Sequence, residues 1–170
     1  MTEELKLNLN LNLQELNSAL SKIDVSLPPV EYIENILKAI CDNLGYSFAT
    51  VIEVDDKGKG HIIASHNLPA DYPNRVSSVV EPLLSSPSGE AIETGKIVVV
   101  PDVSSEPRLC VWHDIIKTYT LKTNVWIPLF RDGKAFGTCV LYDTKTRDVS
   151  VKELELLEQI GVMVSHCDNV

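Results

Sequence analysis

Residues 124–164 read NVWIPLFRDGKAFGTCVLYDTKTRDVSVKELELLEQIGVMV, and this stretch decides the fold. Two apolar, β-rich runs meet at Asp132-Gly133, the dipeptide that supplies the positive φ angles of a tight hairpin turn without a Cβ clash. Gly137 inside the second run marks a bulge or a close backbone approach. Ser150 with Glu153 three residues later has the spacing of a capping box, so a helix is predicted to begin at Val151. The order is strand, tight turn, strand, capped helix. Successive side chains of a strand point to opposite faces, so Trp126 is expected on one face of the sheet and Val125 and Ile127 on the other.

Upstream the same style of reading gives short alternating elements. Val30, Ile33, Ile36, Leu37, Ile40 and Leu44 fall on one helical face that stops at Gly45. Strands are predicted at 48–54 and 61–65 around a turn at 55–60, a helix or two turns at 74–84, a short helix at 88–94, and an apolar strand at 97–100. Pro107 suits the first turn of a helix reaching Tyr119. Before Pro28-Pro29, Leu9, Leu13, Leu16, Leu20 and Ile23 step by four and three, a helical seam from about Leu9 to Asp24. Leu5 to Leu13 also alternate with polar residues, which is a strand period. A lone apolar stripe needs a partner, either a second copy of the chain or its own domain. The division expected is a coiled-coil-like segment at 1–27 and a globular domain at 28–170, with a homodimer formed through both chain ends (Leu13, Leu16, Leu20 and Ile23 with Leu157, Ile160 and Val164).

The 170 residues carry a formal charge of −9, with 44% hydrophobic and 23% charged residues, which suits an ordinary globular core. The 15 basic residues are scattered, so no nucleic-acid or anionic-membrane partner is expected. No run is long enough for a transmembrane helix, and the four dispersed cysteines suit a reducing compartment, so a cytoplasmic location is expected.

Four motifs in order, TGKIVVVPDV at 94–103, SSEPRL at 104–109, IPL at 127–129 and DGKAFGT at 132–138, make residues 28–165 similar to a GAF domain. The resemblance implies an α+β fold: a central antiparallel sheet, N- and C-terminal helices on one face, and short helices and loops over a ligand pocket on the other. It implies a noncatalytic sensory module for signal transduction, with an output such as a histidine kinase of a two-component system, a cyclase or a transcription regulator. Family ligands range over cyclic nucleotides, haem, bilins, amino acids and 2-oxo acids, so the cofactor stays unknown. The pocket implied lies under the segment 101–123, whose Cys110, Trp112 and His113 are the candidate binding residues. Cys110 and His113 are three apart and share a helical face, which gives a haem-binding gas or redox sensor as an alternative. The plainer alternative is an amphipathic helix with Trp112 on the sheet and His113 at the surface.

Other chemistries lack their residues. Zinc needs three or four convergent ligands, and the adjacent His166 and Cys167 point about 100° apart on a helix. No nucleophile elbow or phosphate-cradling glycine loop is present. Asp143, Thr144 and Lys152-Glu153 stand where the cyclic-nucleotide branch carries Asn and Asp-Glu. A methionine sulfoxide reductase needs clustered cysteines, whereas these fall on separate elements. A ligand-free dimerisation spacer is the remaining alternative.

Overall fold

The computed structural model describes residues 2–77, 79 and 85–167. Five antiparallel strands form one sheet in the order β2-β1-β5-β4-β3. They are β1 (Phe48–Val54), β2 (Gly60–His66), β3 (Val98–Val100), β4 (Thr123–Arg131) and β5 (Lys134–Asp143). The helices are α1 (Glu3–Ser21), α2 (Pro29–Leu44), α3 (Tyr72–Ser77), α4 (Pro87–Thr94), α5 (His113–Thr118) and α6 (Val151–Ser165). The α+β arrangement expected from the sequence is the one found. The segment expected as a helix or turns at 74–84 is α3 at its start, and residues 78 and 80–84 lie outside the described residues.

Strand alternation divides the core in two. Ala49, Val51, Val125, Ile127, Leu129, Cys139 and Leu141 pack with α1, α2 and α6, whereas Phe48, Ile52, Trp126, Val140 and Tyr142 pack with the short helices on the other face. Trp126 and its neighbours Val125 and Ile127 thus divide as the alternation requires. The hairpin turn has φ 51° at Asp132 and 74° at Gly133, two positive angles in succession, as a primed turn demands.

The α1 helix is longer than its heptad seam predicts. Thr2 caps it by accepting from the Leu5 amide at 3.3 Å, with Glu3 and Glu4 in the first turn, so the Leu-Asn repeat is helical from its start. Leu13, Leu16 and Leu20 are buried against the α2 side of the core within the same chain. Leu157, Ile160 and Val164 of α6 are buried in that same cluster, so the seams at both chain ends are already covered. Leu5, Leu7 and Leu11 stay exposed.

Two glycines mark where backbone must come close. A Cβ on Gly137 would lie 2.1 Å from the Ile52 carbonyl oxygen, and one on Gly161 of α6 would lie 2.8 Å from Cγ2 of Ile127. The β4–β5 register shifts between Leu129 and Phe130, beside the Leu129–Gly137 pair, so the close approach and the bulge read from Gly137 coincide. The cap of α6 differs from the box expected. Ser150 Oγ accepts from the Glu153 amide at 3.1 Å, but the Glu153 carboxylate is buried and accepts from Tyr46 Oη at 2.8 Å. Arg147 lies over the Tyr46 ring at 3.9 Å and donates to the Leu44 carbonyl at 2.6 Å. Burial pushes the Tyr46 hydroxyl well above its ordinary pKa, with the Glu153 charge adding to it. A capping carboxylate has become a tertiary tie between α6 and the end of α2.

The β1–β2 turn is held by Asp55. Its Oδ1 accepts the amides of Lys57 and Lys59, both at 2.9 Å, and its Oδ2 meets His61 Nε2 at 2.9 Å.

Replacement of Gly137 by Ala is expected to destabilise the fold by about 2–3 kcal/mol, since the obstacle is neighbouring backbone that no rotamer change relieves. Gly161→Ala gains helix propensity of about 1 kcal/mol against an overpacking cost of about 1–3 kcal/mol, so its net loss is smaller. Urea midpoints that reverse this order would refute the assignment. The Asp55 carboxyl is lowered to about 2, chiefly by His61 and then by the Lys59 amide. A depressed carboxylate contributes stability above its unfolded value near 3.9 and loses it as pH falls through the folded value. The turn is therefore expected to loosen between about pH 4 and pH 2, and His61→Ala to move the Asp55 carboxyl resonance titration upward by NMR.

Candidate ligand-binding cavity

On the face of the sheet opposite the long helices a cavity of about 620 Å³ lies beneath the short elements, a volume within the usual range for small-molecule sites. Its floor is the sheet: Ile52, Asn124, Trp126 and Tyr142. Its walls and roof are Tyr72 and Val76 of α3, Leu109, Trp112, and Ile115 and Ile116 of α5, and residues 57–62 of the β1–β2 hairpin close one end.

The roof is built from two pieces where a single helix was expected. Pro107–Trp112 is 3-10, Leu109 leaves helical geometry at φ −106°, and α5 begins only at His113. The buried Leu109 side chain and the Glu106 cap on the Arg108 amide hold this break. Below it, Thr123 fixes where β4 starts, donating to the Pro101 carbonyl at 2.8 Å and accepting from the Arg147 amide at 3.0 Å. That anchor sets the position of Asn124, the next residue.

Aromatic rings dominate one side. Tyr142 stacks on Phe48 at 4.4 Å and meets Tyr72 edge-on at 5.8 Å, contacts worth about 0.5–1.5 kcal/mol each beyond area burial. The Tyr142 hydroxyl pairs with Thr50 Oγ1 at 3.2 Å and with the Tyr72 hydroxyl. Burial raises the pKa of both tyrosines. These hydroxyls are thus satisfied by one another. Asn124 is not: its Oδ1 is buried and has no hydrogen-bond partner, in a residue 4% exposed. An orphaned buried acceptor costs about 1–3 kcal/mol, and the residue that carries it lines the cavity. Asn124 sits between Val100 and Tyr142 in register, so its side chain shares the cavity face with Tyr142 and Trp126.

The structure separates the three residues singled out in the sequence. Trp112 is half-buried and lines the cavity. Cys110 and His113 are exposed and stand outside the lining residues, linked by the His113 amide donating to the Cys110 carbonyl. Cys41 and Cys139 are buried, with burial pushing the Cys41 thiol up to about 12 and the Cys139 thiol higher still. None of the four cysteines lines the cavity. Among the described residues, no group of three or more His, Cys, Asp or Glu is placed to hold a metal ion, and no helix is long and apolar enough to cross a membrane. Sequence reasoning passed over Asn124, Tyr142 and Tyr72. The available signal was a polar side chain two positions before Trp126, ahead of the apolar run 125–130.

Comparison with known proteins agrees with this geometry. The chain is 26% identical over 170 residues to the methyl sulfide methyltransferase-associated sensor of Methanosarcina acetivorans, covering 96% of this chain and 16% of that protein. The chain therefore spans about one sixth of that relative's length. Its fold matches the GAF domain of a phosphoenolpyruvate-protein phosphotransferase from Coxiella burnetii with a TM-score of 0.73 at 12% identity, over 94% of this chain and 91% of that one. It also matches the free methionine-R-sulfoxide reductase of Neisseria meningitidis, solved with its substrate, with a TM-score of 0.67 at 16% identity, over 98% and 91%. These two are likenesses of fold. With the cavity, the sheet order and the helical face in place, the match of residues 26–165 to the GAF domain family settles the kinship: the chain belongs to that family.

Proposed function

We propose that this chain is a noncatalytic sensory module that binds a small molecule in the cavity and passes its occupancy to the long helices behind the sheet. The observation that carries this reading is the double service of β4. Asn124 and Trp126 line the cavity, while Val125, Ile127 and Leu129 of the same strand pack with α6. Ser165 near the end of α6 accepts from the Phe130 amide at 2.9 Å and donates to the Gly161 carbonyl at 2.6 Å, so helix and strand are tied by hydrogen bonds as well as packing. A ligand that prefers one placement of β4 shifts the helical arrangement by its differential affinity, and by no more.

A sensor role also accords with the printed name of the Methanosarcina relative. By the same reading the output lies elsewhere, in a histidine kinase, cyclase or transcription regulator, and the module works in the cytoplasm without nucleic-acid contact. A reductase role fits less well, because catalysis by thiolate needs an accessible, low-pKa cysteine at the substrate. Here the buried thiols are pushed up, and the exposed Cys110 lies off the cavity lining. Association into a homodimer would use the outer face of α1, where Leu7 and Leu11, four residues apart, are 60% and 47% exposed.

Two measurements bear on this. A metabolite set screened by thermal shift is expected to contain compounds that raise the melting temperature by roughly 5–10 °C when well above their dissociation constants, and Val76→Trp, which fills the cavity from its wall, is expected to abolish those shifts. Shifts that survive Val76→Trp would place binding elsewhere, and an empty screen would leave the spacer reading. Light scattering is expected to give a dimer mass that Leu7→Asp with Leu11→Asp converts to the monomer; a monomer in the parent protein would remove the dimeric route.

A further inference from the structure

The charged residues around the cavity are of one sign. Lys57 and Lys59 line the end closed by the β1–β2 hairpin, and no aspartate or glutamate is among the described lining residues. The chain as a whole carries 24 acidic against 15 basic residues, so this border runs against the overall balance. Neither lysine is neutralised. Both are exposed, and among the described residues no ion pair holds either ammonium. Asp55 is engaged within the turn, where its carboxylate accepts the amides of both lysines and meets His61 Nε2. Asp56, on the same turn, does not line the cavity. A lysine ammonium moves on a flexible stem, so the place of the two residues in the fold, and not one rotamer, puts their charge at this end. Beyond the hairpin the lining turns apolar, with Ile52, Val76, Leu109, Ile115, Ile116 and Leu121.

Resting on the reading of this cavity as a ligand site, we propose that Lys57 and Lys59 form an anion subsite at its hairpin end, and that the ligand is an amphipathic anion: an apolar body inside the cavity and an acidic group at the two lysines. Cations at the mouth of a cleft with low-dielectric walls raise the local concentration of anions and hold them more strongly than an open surface does. An uncharged ligand of the same shape gains only the burial of its apolar surface. The two kinds of ligand therefore respond differently when the lysines lose their charge.

Anilinonaphthalene sulfonate and phenylnaphthylamine share one aromatic body, and only the first carries an anionic group; both brighten when water is excluded. Fluorescence titration of the whole chain is expected to show both probes bound, and both lost in Val76→Trp, which locates them in the cavity. Lys57→Gln with Lys59→Gln is expected to weaken the sulfonate by about three- to tenfold, the scale of two partly exposed charge pairs, and to leave the neutral probe unchanged. High salt is expected to weaken the sulfonate in the parent chain and to have little effect on it in the double variant. Equal responses of the two probes to the lysine replacements, or no response from the sulfonate, overturn the proposal and leave the cavity as a ligand site. Binding that survives Val76→Trp places the probes elsewhere and overturns it as well. Binding of neither probe overturns the proposal and weakens the sensory reading with it. Should the double variant fail to fold, as judged by circular dichroism, the salt dependence in the parent chain decides the matter, with Lys57→Arg and Lys59→Arg as the variant expected to keep the sulfonate affinity.

Discussion

The structure depends on the burial of β4 and β5 from both sides. A strand pair buried on one face reads as alternating apolar and polar residues, but here residues 123–129 and 137–143 are buried throughout, so every side chain must suit one of two different neighbours. Val125, Ile127, Leu129, Cys139 and Leu141 meet three long helices. On the other side Trp126, Val140 and Tyr142 meet short helices that leave volume between them. A slip of one residue would exchange the two sets, burying Asn124 under helices and placing Ile127 in the cavity. Gly137 and the adjacent register shift keep that slip from occurring, because only a residue without Cβ passes the Ile52 carbonyl.

The helical face is bound to this pair by a second, polar device. Glu153 of α6, Tyr46 at the end of α2, and Arg147 in the intervening loop form a buried cluster that reaches Asp143 at the end of β5, 3.6 Å from Arg147. Burying such charges gains little net stability, since desolvation offsets the attraction, yet removing one partner leaves a charge stranded. Arg147 Nη1 already lacks a partner, so the cluster is not a fully satisfied network. Its effect is positional. It ties the first turn of α6 to the sheet end where β4 begins, while Ser165 ties the last turn near the end where β4 finishes.

Most of the fold was legible in the sequence because it follows from period and punctuation. The Asp132-Gly133 turn, the stop at Gly45 and the cap at Ser150 are local signals, and local chemistry decided them. The failures have a common cause. Glu153 has capping-box spacing, but Tyr46, 107 residues earlier, competes for its carboxylate and holds it. Pro107 to Tyr119 has helical composition, but burial of Leu109 breaks it into two pieces. Cys110 and His113 attracted notice as reactive types, whereas Asn124 earned its interest only through what the fold denies it. An unpaired acceptor is a property of packing, and no spacing in the sequence announces it.

That distinction bears on how a signal would cross the sheet. Gly161 leaves Ile127 no slack, since even a methyl group would overlap it, and closely packed interiors transmit displacement instead of absorbing it. Asn124 lies three residues from Ile127 on the same strand, about 10 Å along the chain at strand rise. A ligand in contact with Asn124 or Trp126 would therefore act on a strand whose far side is in contact with α6. In the proposed sensory module, occupancy would change the energy of one placement of β4 relative to another, and the α6 contact would convert that difference into a preference between helix positions. A ligand held only by the roof, through Trp112 and α5, would bind the same cavity yet have no such purchase on the helices. Binding through the floor would join the two faces, since Asn124 and Trp126 line the cavity on the strand that packs against α6.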